Sequence, residues 1–115
     1  MKNFKDKVVV ITGAGSGMGR AYAIEFAKLG AKLALNDYDK VALDETVSIL
    51  SASNYINVFA LAFDVSDQKN MFDFADKVKA ELGNAHVIIN NAGIEGSGRP
   101  IYLTTVEEED RKSVV

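Results

Sequence analysis

Four glycines, Gly13, Gly15, Gly17 and Gly19, alternate with other residues between a β-branched run, Val8 to Ile11, and a stretch with helical spacing. That much bare backbone lets an anion approach main-chain N–H groups closely. N–H groups at a helix start, with the helix dipole behind them, favour phosphate. Gly19 falls inside the first helical turn, where glycine costs about 1 kcal/mol relative to alanine. It therefore serves something other than helix stability: tight packing of the helix on a sheet, or close approach of a ligand. A Walker A loop is excluded, because no GxxxxGK[ST] run is present and Arg20 follows Gly19.

Asp37 ends the second apolar run, 18 residues after Gly19. A carboxylate there accepts hydrogen bonds from both hydroxyls of an adenosine ribose. Asp39 is better placed to cap the helix that follows, which leaves Asp37 to a ligand. Loop and acid in this order predict dinucleotide binding. They also predict which dinucleotide. A 2′-phosphate beside Asp37 would meet a like charge, worth roughly 1–4 kcal/mol per pair at ~4 Å depending on the dielectric. Tyr38 comes next, with no arginine to compensate. NAD is therefore expected over NADP by at least about tenfold.

These residues need a frame. Val8 to Ile11 reads as a buried strand. Met18 to Leu29 has helical spacing, with apolar residues at Ala21, Ile24, Ala27 and their neighbours, and Gly30 stops it. Lys32 to Asn36 is a second strand, with Asp37 at its carboxyl end. Asp39 caps a helix to about Leu50, with Val41, Leu43, Val47 and Leu50 apolar. Val58 to Phe63 is a third strand. Ser66 or Asp67 caps a third helix whose buried stripe is Met71, Phe74, Ala75, Val78 and Leu82, and Gly83 ends it. Val87 to Ile89 is a fourth strand. A glycine-rich loop follows, Gly93 to Pro100, and Thr105 to Glu108 matches a capping box that opens a fourth helix. The order βαβαβαβ demands a parallel sheet with right-handed crossovers, an α/β doubly wound architecture of the Rossmann type. Residues 1–115 are expected to form one dinucleotide-binding domain.

Composition narrows the function. Of 115 residues, 48% are apolar and 25% charged, as in an ordinary globular domain. A net charge of −3 disfavours a nucleic-acid surface, which needs clustered positive charge. The absence of cysteine excludes disulfides and thiol ligands, and no metal site is read. No run approaches the ~20 apolar residues of a membrane span, and the amino terminus is too short in apolar residues for a secretory signal. A cytoplasmic protein without a membrane partner is expected.

At this point the residues resemble a family. Thr12-Gly13-Ala14-Gly15-Ser16-Gly17-Met18-Gly19 is similar to the TGxxxGxG segment of the short-chain dehydrogenase/reductases. Asn90-Asn91-Ala92-Gly93 resembles that family's NNAG segment, and Asp64-Val65 its adenine-contacting pair. The resemblance runs from about Lys5 to the last residue, and corresponds to the amino-terminal half of such enzymes. It implies roles residue by residue. Gly13, Ser16, Gly17, Met18 and Gly19 would form the pyrophosphate loop, and Asp37 would hold the adenosine ribose with Tyr38 beside it. Asp64 and Val65 would border the adenine. Asn91, Ala92 and Gly93 would pass near the ribose on the nicotinamide side. Asn90 reads as structural, its amide tying strands together. The family usually has an acid where His86 stands, and this lone histidine reads as a polar residue at a strand entrance.

The family's reaction is hydride transfer between nicotinamide and an alcohol or carbonyl substrate. Its acid/base is a tyrosine with a lysine four residues later, helped by a serine and an asparagine. Four residues after Tyr22, Tyr38, Tyr55 and Tyr102 come Phe26, Ala42, Phe59 and Val106, so no YxxxK is present. The 115-residue chain is thus expected to carry no catalytic residue and to be inactive alone. Strand four, without a following neighbour, would present a bare apolar edge, so a homo-oligomer, a swapped assembly or marginal stability is expected. Two other readings stay open. One is a non-catalytic nucleotide-binding or self-associating module. The other is a class I methyltransferase, which shares the glycine loop and the acid after strand two. That class usually has an acid near the end of strand one, where Thr12 stands, and lacks NNAG.

Overall fold

The computed structural model describes residues 4–92 and the backbone of 103–105. The elements are β1 (Val8–Thr12), α1 (Gly17–Lys28), β2 (Lys32–Asp37), α2 (Lys40–Ala52), β3 (Val58–Ala62), α3 (Gln68–Glu81), β4 (Val87–Asn90) and β5 (Leu103–Thr105). They form one sheet in the order β3-β2-β1-β4-β5. The first four strands pair in parallel, with β1 in the centre between β2 and β4. Strand order therefore reverses at β1, and the carboxyl ends of β1 and β4 flank the switch point at which ligands bind in doubly wound sheets.

Period-two alternation along the strands feeds two cores. Val9, Ile11, Leu33, Leu35, Val87 and Ile89 face one way, onto Ala23 and Ala27 of α1 and Leu43 and Leu50 of α2. Val8, Val10, Ala34 and Ile88 face the other way, onto Phe74 and Val78 of α3. There Phe74 packs its ring on Phe63 and Phe59, with centroids 5.2 and 6.1 Å apart. Strands buried on both faces are why Val8 to Ile11 is apolar without a break.

The helix faces differ in detail from the periodic reading. α1 buries Gly19, Ala23 and Ala27, and Ala21 is exposed. α2 buries Leu43, Thr46 and Leu50, while Val41 is 71% exposed. Small residues win on α1 because the helix lies close to the sheet. On α2 a polar residue wins because buried carbonyls need a donor. Asp67, not Ser66, caps α3, its carboxylate accepting from the Asn70 N–H at 3.1 Å.

The far end of the sheet departs most from expectation. The edge of β4 is not bare. β5 lies antiparallel along it, pairing Val87 with Thr105, Ile88 with Thr104 and Ile89 with Leu103. Three residues are too few to show a strand period in sequence, and a backbone ladder is indifferent to side-chain pattern. Thr105 thus ends a strand. The fourth helix expected beyond it, and the loop 93–100, lie outside the described residues. The argument for self-association from an open β4 edge falls with this pairing.

His86 enters the sheet at the opposite end from the glycine loop. Its N–H donates to the Val8 carbonyl at 2.9 Å, and its Nδ1 accepts the Val8 N–H at 3.0 Å. The side chain thereby adds a rung to the β1–β4 ladder, a structural task that a carboxylate could share. We predict that His86→Ala strands the buried Val8 N–H and costs about 1–3 kcal/mol. His86→Asp, which restores an acceptor, should stay within about 1 kcal/mol of the parent. Urea midpoints of the two variants check this; equal losses would refute it.

Candidate functional site

Three chain segments meet at the carboxyl ends of β1, β2 and β4. The first is the glycine loop. Ser16 takes the N-cap position of α1 with extended backbone, but its side chain makes no capping hydrogen bond, and no acidic residue stands in the first turn. The contrast within the molecule is sharp. α2 and α3 are capped by the carboxylates of Asp39 and Asp67. α1 alone among these three helices presents its first N–H groups uncapped, with Ser16, Gly17 and Met18 exposed. That is the arrangement in which a helix start takes an external anion.

Two glycines divide the labour of the loop. Gly19 is buried, and a Cβ there would overlap the carbonyl oxygen of Gly13 and lie 2.8 Å from the Asn91 amide nitrogen. It is the contact that lets α1 sit on the sheet. Gly17 has φ +59° and nothing within 4 Å of the place a Cβ would take, so it faces open space at the helix start.

The second segment is Asp37. Its Oδ2 accepts the Gly15 N–H at 2.7 Å, and its Oδ1 accepts the Asp39 N–H at 2.8 Å. Residues 22 apart in sequence are thus in direct contact, and loop and acid form one site. Each carboxylate oxygen has a second lone-pair direction, so two acceptor positions remain for a ligand's hydroxyls. Tyr38 is 78% exposed beside it.

The third segment is stitched to the first. The Thr12 hydroxyl donates to the Asn90 amide oxygen at 3.2 Å and accepts the Ala92 N–H at 3.0 Å. The Asn91 amide donates to the Gly13 carbonyl at 3.1 Å. Asn90 therefore ties β4 to β1 as expected of it. Asn91 and Ala92 reach the glycine loop directly, and Gly93 lies outside the described residues.

Asp64 and Val65 follow β3 beside Asp37. Asn36, fully buried, donates its amide to the carbonyls of Leu61 and Phe63 at 3.3 and 3.0 Å. The Phe63 N–H donates to the Asp37 carbonyl at 3.1 Å. The turn carrying Asp64 is thus anchored to the strand carrying Asp37. Asp64 itself is exposed, and its Oδ1 accepts the Ser66 N–H at 2.9 Å and the Ser66 hydroxyl at 2.8 Å. These two bonds, the backbone one first, hold its carboxyl below the ordinary value of 3.8, against a small opposing effect of desolvation. A depressed folded value stabilises the turn above the ordinary carboxylate range, and the benefit is lost as pH falls through the lower value. In a carboxyl NMR titration Asp64 should titrate below 3.8. Ser66→Ala keeps the backbone bond and should move it part of the way up. An Asp64 titration unmoved by that change would contradict the assignment.

Two polar side chains of this site escape a motif-based reading: Arg20 and Thr46. Arg20 is a cation in the first turn of a helix, where the dipole disfavours it. Thr46 is polar on a stripe otherwise made by Leu43 and Leu50. Both oddities are visible in sequence; the partners that explain them are not.

The family model for short chain dehydrogenases matches residues 7–114. The chain belongs to the short chain dehydrogenase family. Epidermal retinol dehydrogenase 2 of Mus musculus is 45% identical over 93 residues, 81% of this chain and 30% of that protein. A short chain dehydrogenase/reductase from Burkholderia phymatum, solved in complex with NAD, is 43% identical and superposes with a TM-score of 0.72 over 76% of this chain and 31% of its own. L-sorbose reductase from Gluconobacter frateurii, solved with NADPH and L-sorbose, is 33% identical, with a TM-score of 0.75 over 81% of this chain and 35% of its own. The present short chain dehydrogenase sequence spans about a third or less of the length of the curated relatives it matches. Among its described residues no helix is long and apolar enough to cross a membrane.

Proposed function

We propose that residues 1–115 form the cofactor-binding part of an NAD-dependent oxidoreductase acting on a small alcohol or carbonyl compound. The observation that carries this reading is the contact of Gly15 with Asp37, which sets an uncapped helix start beside a carboxylate. An adenosine diphosphate needs that combination: N–H groups for the diphosphate and a paired acceptor for the ribose. Ser16, Gly17, Met18 and Gly19 would hold the diphosphate, and Gly13 would shape the turn. Asp37 and Tyr38 would hold the adenosine ribose, Asp64 and Val65 would border the adenine, and Asn91, Ala92 and Gly93 would lie towards the nicotinamide. The nicotinamide would donate or accept the hydride; these residues would bind and orient it.

Solved relatives carry either NAD or NADPH, so the choice here rests on this chain's charge. The Asp37 carboxylate disfavours a 2′-phosphate, which supports NAD. No tyrosine of residues 1–115 has a lysine four residues on, so this stretch by itself would bind cofactor without turning over substrate. It would then act as a nucleotide-binding module. Self-association has lost its main argument, because β5 covers β4. A homo-oligomer and a cytoplasmic setting remain part of the reading through the family likeness and the cysteine-free sequence.

Calorimetric titration of the 115-residue protein with NAD and NADP tests the reading, alongside NADH oxidation with a full-length short chain dehydrogenase as control. NAD binding at least about tenfold tighter than NADP, without turnover, is expected. Equal affinities would refute the cofactor choice, and turnover would refute the non-catalytic role.

A further inference from the structure

Arg20 places its positive charge where the α1 dipole disfavours it, yet its guanidinium is well supplied with acceptors. Nε donates to Thr46 Oγ1 at 2.8 Å. Nη2, with two protons to share among them, lies 2.5 Å from the Gly15 carbonyl, 3.1 Å from the Ala42 carbonyl and 3.1 Å from the Glu45 carboxylate. Thr46 is fully buried. Its hydroxyl lies 2.8 Å from the Ala14 carbonyl, 3.2 Å from that of Gly15 and 3.4 Å from that of Ala42. A hydroxyl has one proton to give, and the shortest contact takes it.

Two consecutive carbonyls of the glycine loop are therefore pinned towards α2. In a trans peptide the N–H points opposite to the C=O. Pinning the Ala14 carbonyl turns the Gly15 N–H to Asp37, where it is found at 2.7 Å. Pinning the Gly15 carbonyl turns the Ser16 N–H away from α2. The arginine and the threonine thus set the orientation of the peptide planes that lead into the uncapped helix start.

We propose that Arg20 and Thr46 are positioning residues that hold the glycine loop ready for a diphosphate before it binds. The inference rests on the dinucleotide reading above. Neither side chain need touch the ligand. Their effect is preorganisation, which spares the loop an ordering cost at the moment of binding. Charge alone would not do this: the planar fork reaches four partners at once, and a lysine ammonium lacks that geometry.

The test compares ADP with adenosine, which lacks the diphosphate, by calorimetry on the parent 115-residue protein and on Arg20→Lys, Thr46→Val and Thr46→Ser. Melting curves establish that each variant is folded. Arg20→Lys and Thr46→Val should weaken ADP about tenfold or more and adenosine, held through Asp37, by a several-fold smaller factor. Thr46→Ser, which keeps the hydroxyl, should match the parent. In the free proteins, amide exchange at Gly15, whose N–H is bonded to Asp37, should quicken in the two weakened variants while α3 stays unchanged. A proportional loss for both ligands would overturn the proposal and leave a merely structural role. Full ADP affinity in Arg20→Lys would overturn it in favour of charge. A parent protein that binds neither ligand sinks the dinucleotide reading itself, and this inference with it.

Discussion

Gly19→Ala should destabilise this domain severely. The added methyl group would overlap the Gly13 carbonyl oxygen and crowd the Gly13 carbonyl carbon at 2.7 Å and the Asn91 amide at 2.8 Å. Two of those three atoms are backbone of the central strand's exit, so they cannot swing aside. α1 would have to lift from the sheet, breaking its contacts through Ala23 and Ala27 with Val9, Ile11 and Leu33. Overpacking at a site that cannot relax costs about 3 kcal/mol, a large share of the 5–15 kcal/mol typical of a whole domain. A fall in melting temperature of more than about 10 °C is expected. Gly17→Ala is the control. Its methyl group meets nothing, so only the positive φ is paid, about 1–2 kcal/mol. If the two variants melt together, Gly19 is not the packing residue described above.

The second large effect concerns the cofactor. Replacing Asp37 by asparagine removes the charge that a 2′-phosphate would meet, roughly 1–4 kcal/mol per pair. The amide has a single oxygen, so either the Gly15 or the Asp39 N–H loses its acceptor, at about 1 kcal/mol. Absolute affinities should fall for both cofactors for that reason. The ratio is the informative quantity. A preference for NAD of at least about tenfold in the parent should shrink to within about threefold in the variant. An unchanged ratio in calorimetric titrations would mean that Asp37 does not sit beside the 2′ position.

Much of the architecture was legible because it is written in local signals. Unbroken Val/Ile/Leu strands, glycine stops at Gly30 and Gly83 and aspartate caps at Asp39 and Asp67 each act within a few residues. Their order allows few topologies. β5 was not legible: three residues carry no period, and the pairing that makes them a strand is supplied by β4. The helix faces depart from the periodic pattern for a related reason. Val41 has the right character for the stripe of α2, but Thr46 holds the inward place because the Ala14 carbonyl needs a donor there. The candidate site divides the same way. Gly13 to Gly19, Asp37, Asp64 and Asn91 stand out by type and spacing, whereas Arg20 and Thr46 matter through partners 5 and 32 residues away.

What the sequence by itself determined is the set of groups available: bare N–H groups after a first strand, an acid after the second, amides after the fourth. Short-range chemistry and periodicity suffice for that, since each residue's preference is expressed where it stands. Only the tertiary structure decided which of those groups meet. The 2.7 Å contact between the loop and the acid, the threonine that binds β1 to β4, and the carbonyls turned towards α2 all depend on parallel strands brought side by side over long stretches of chain. Such contacts are set by packing two cores against one sheet, and no local run of residues encodes them.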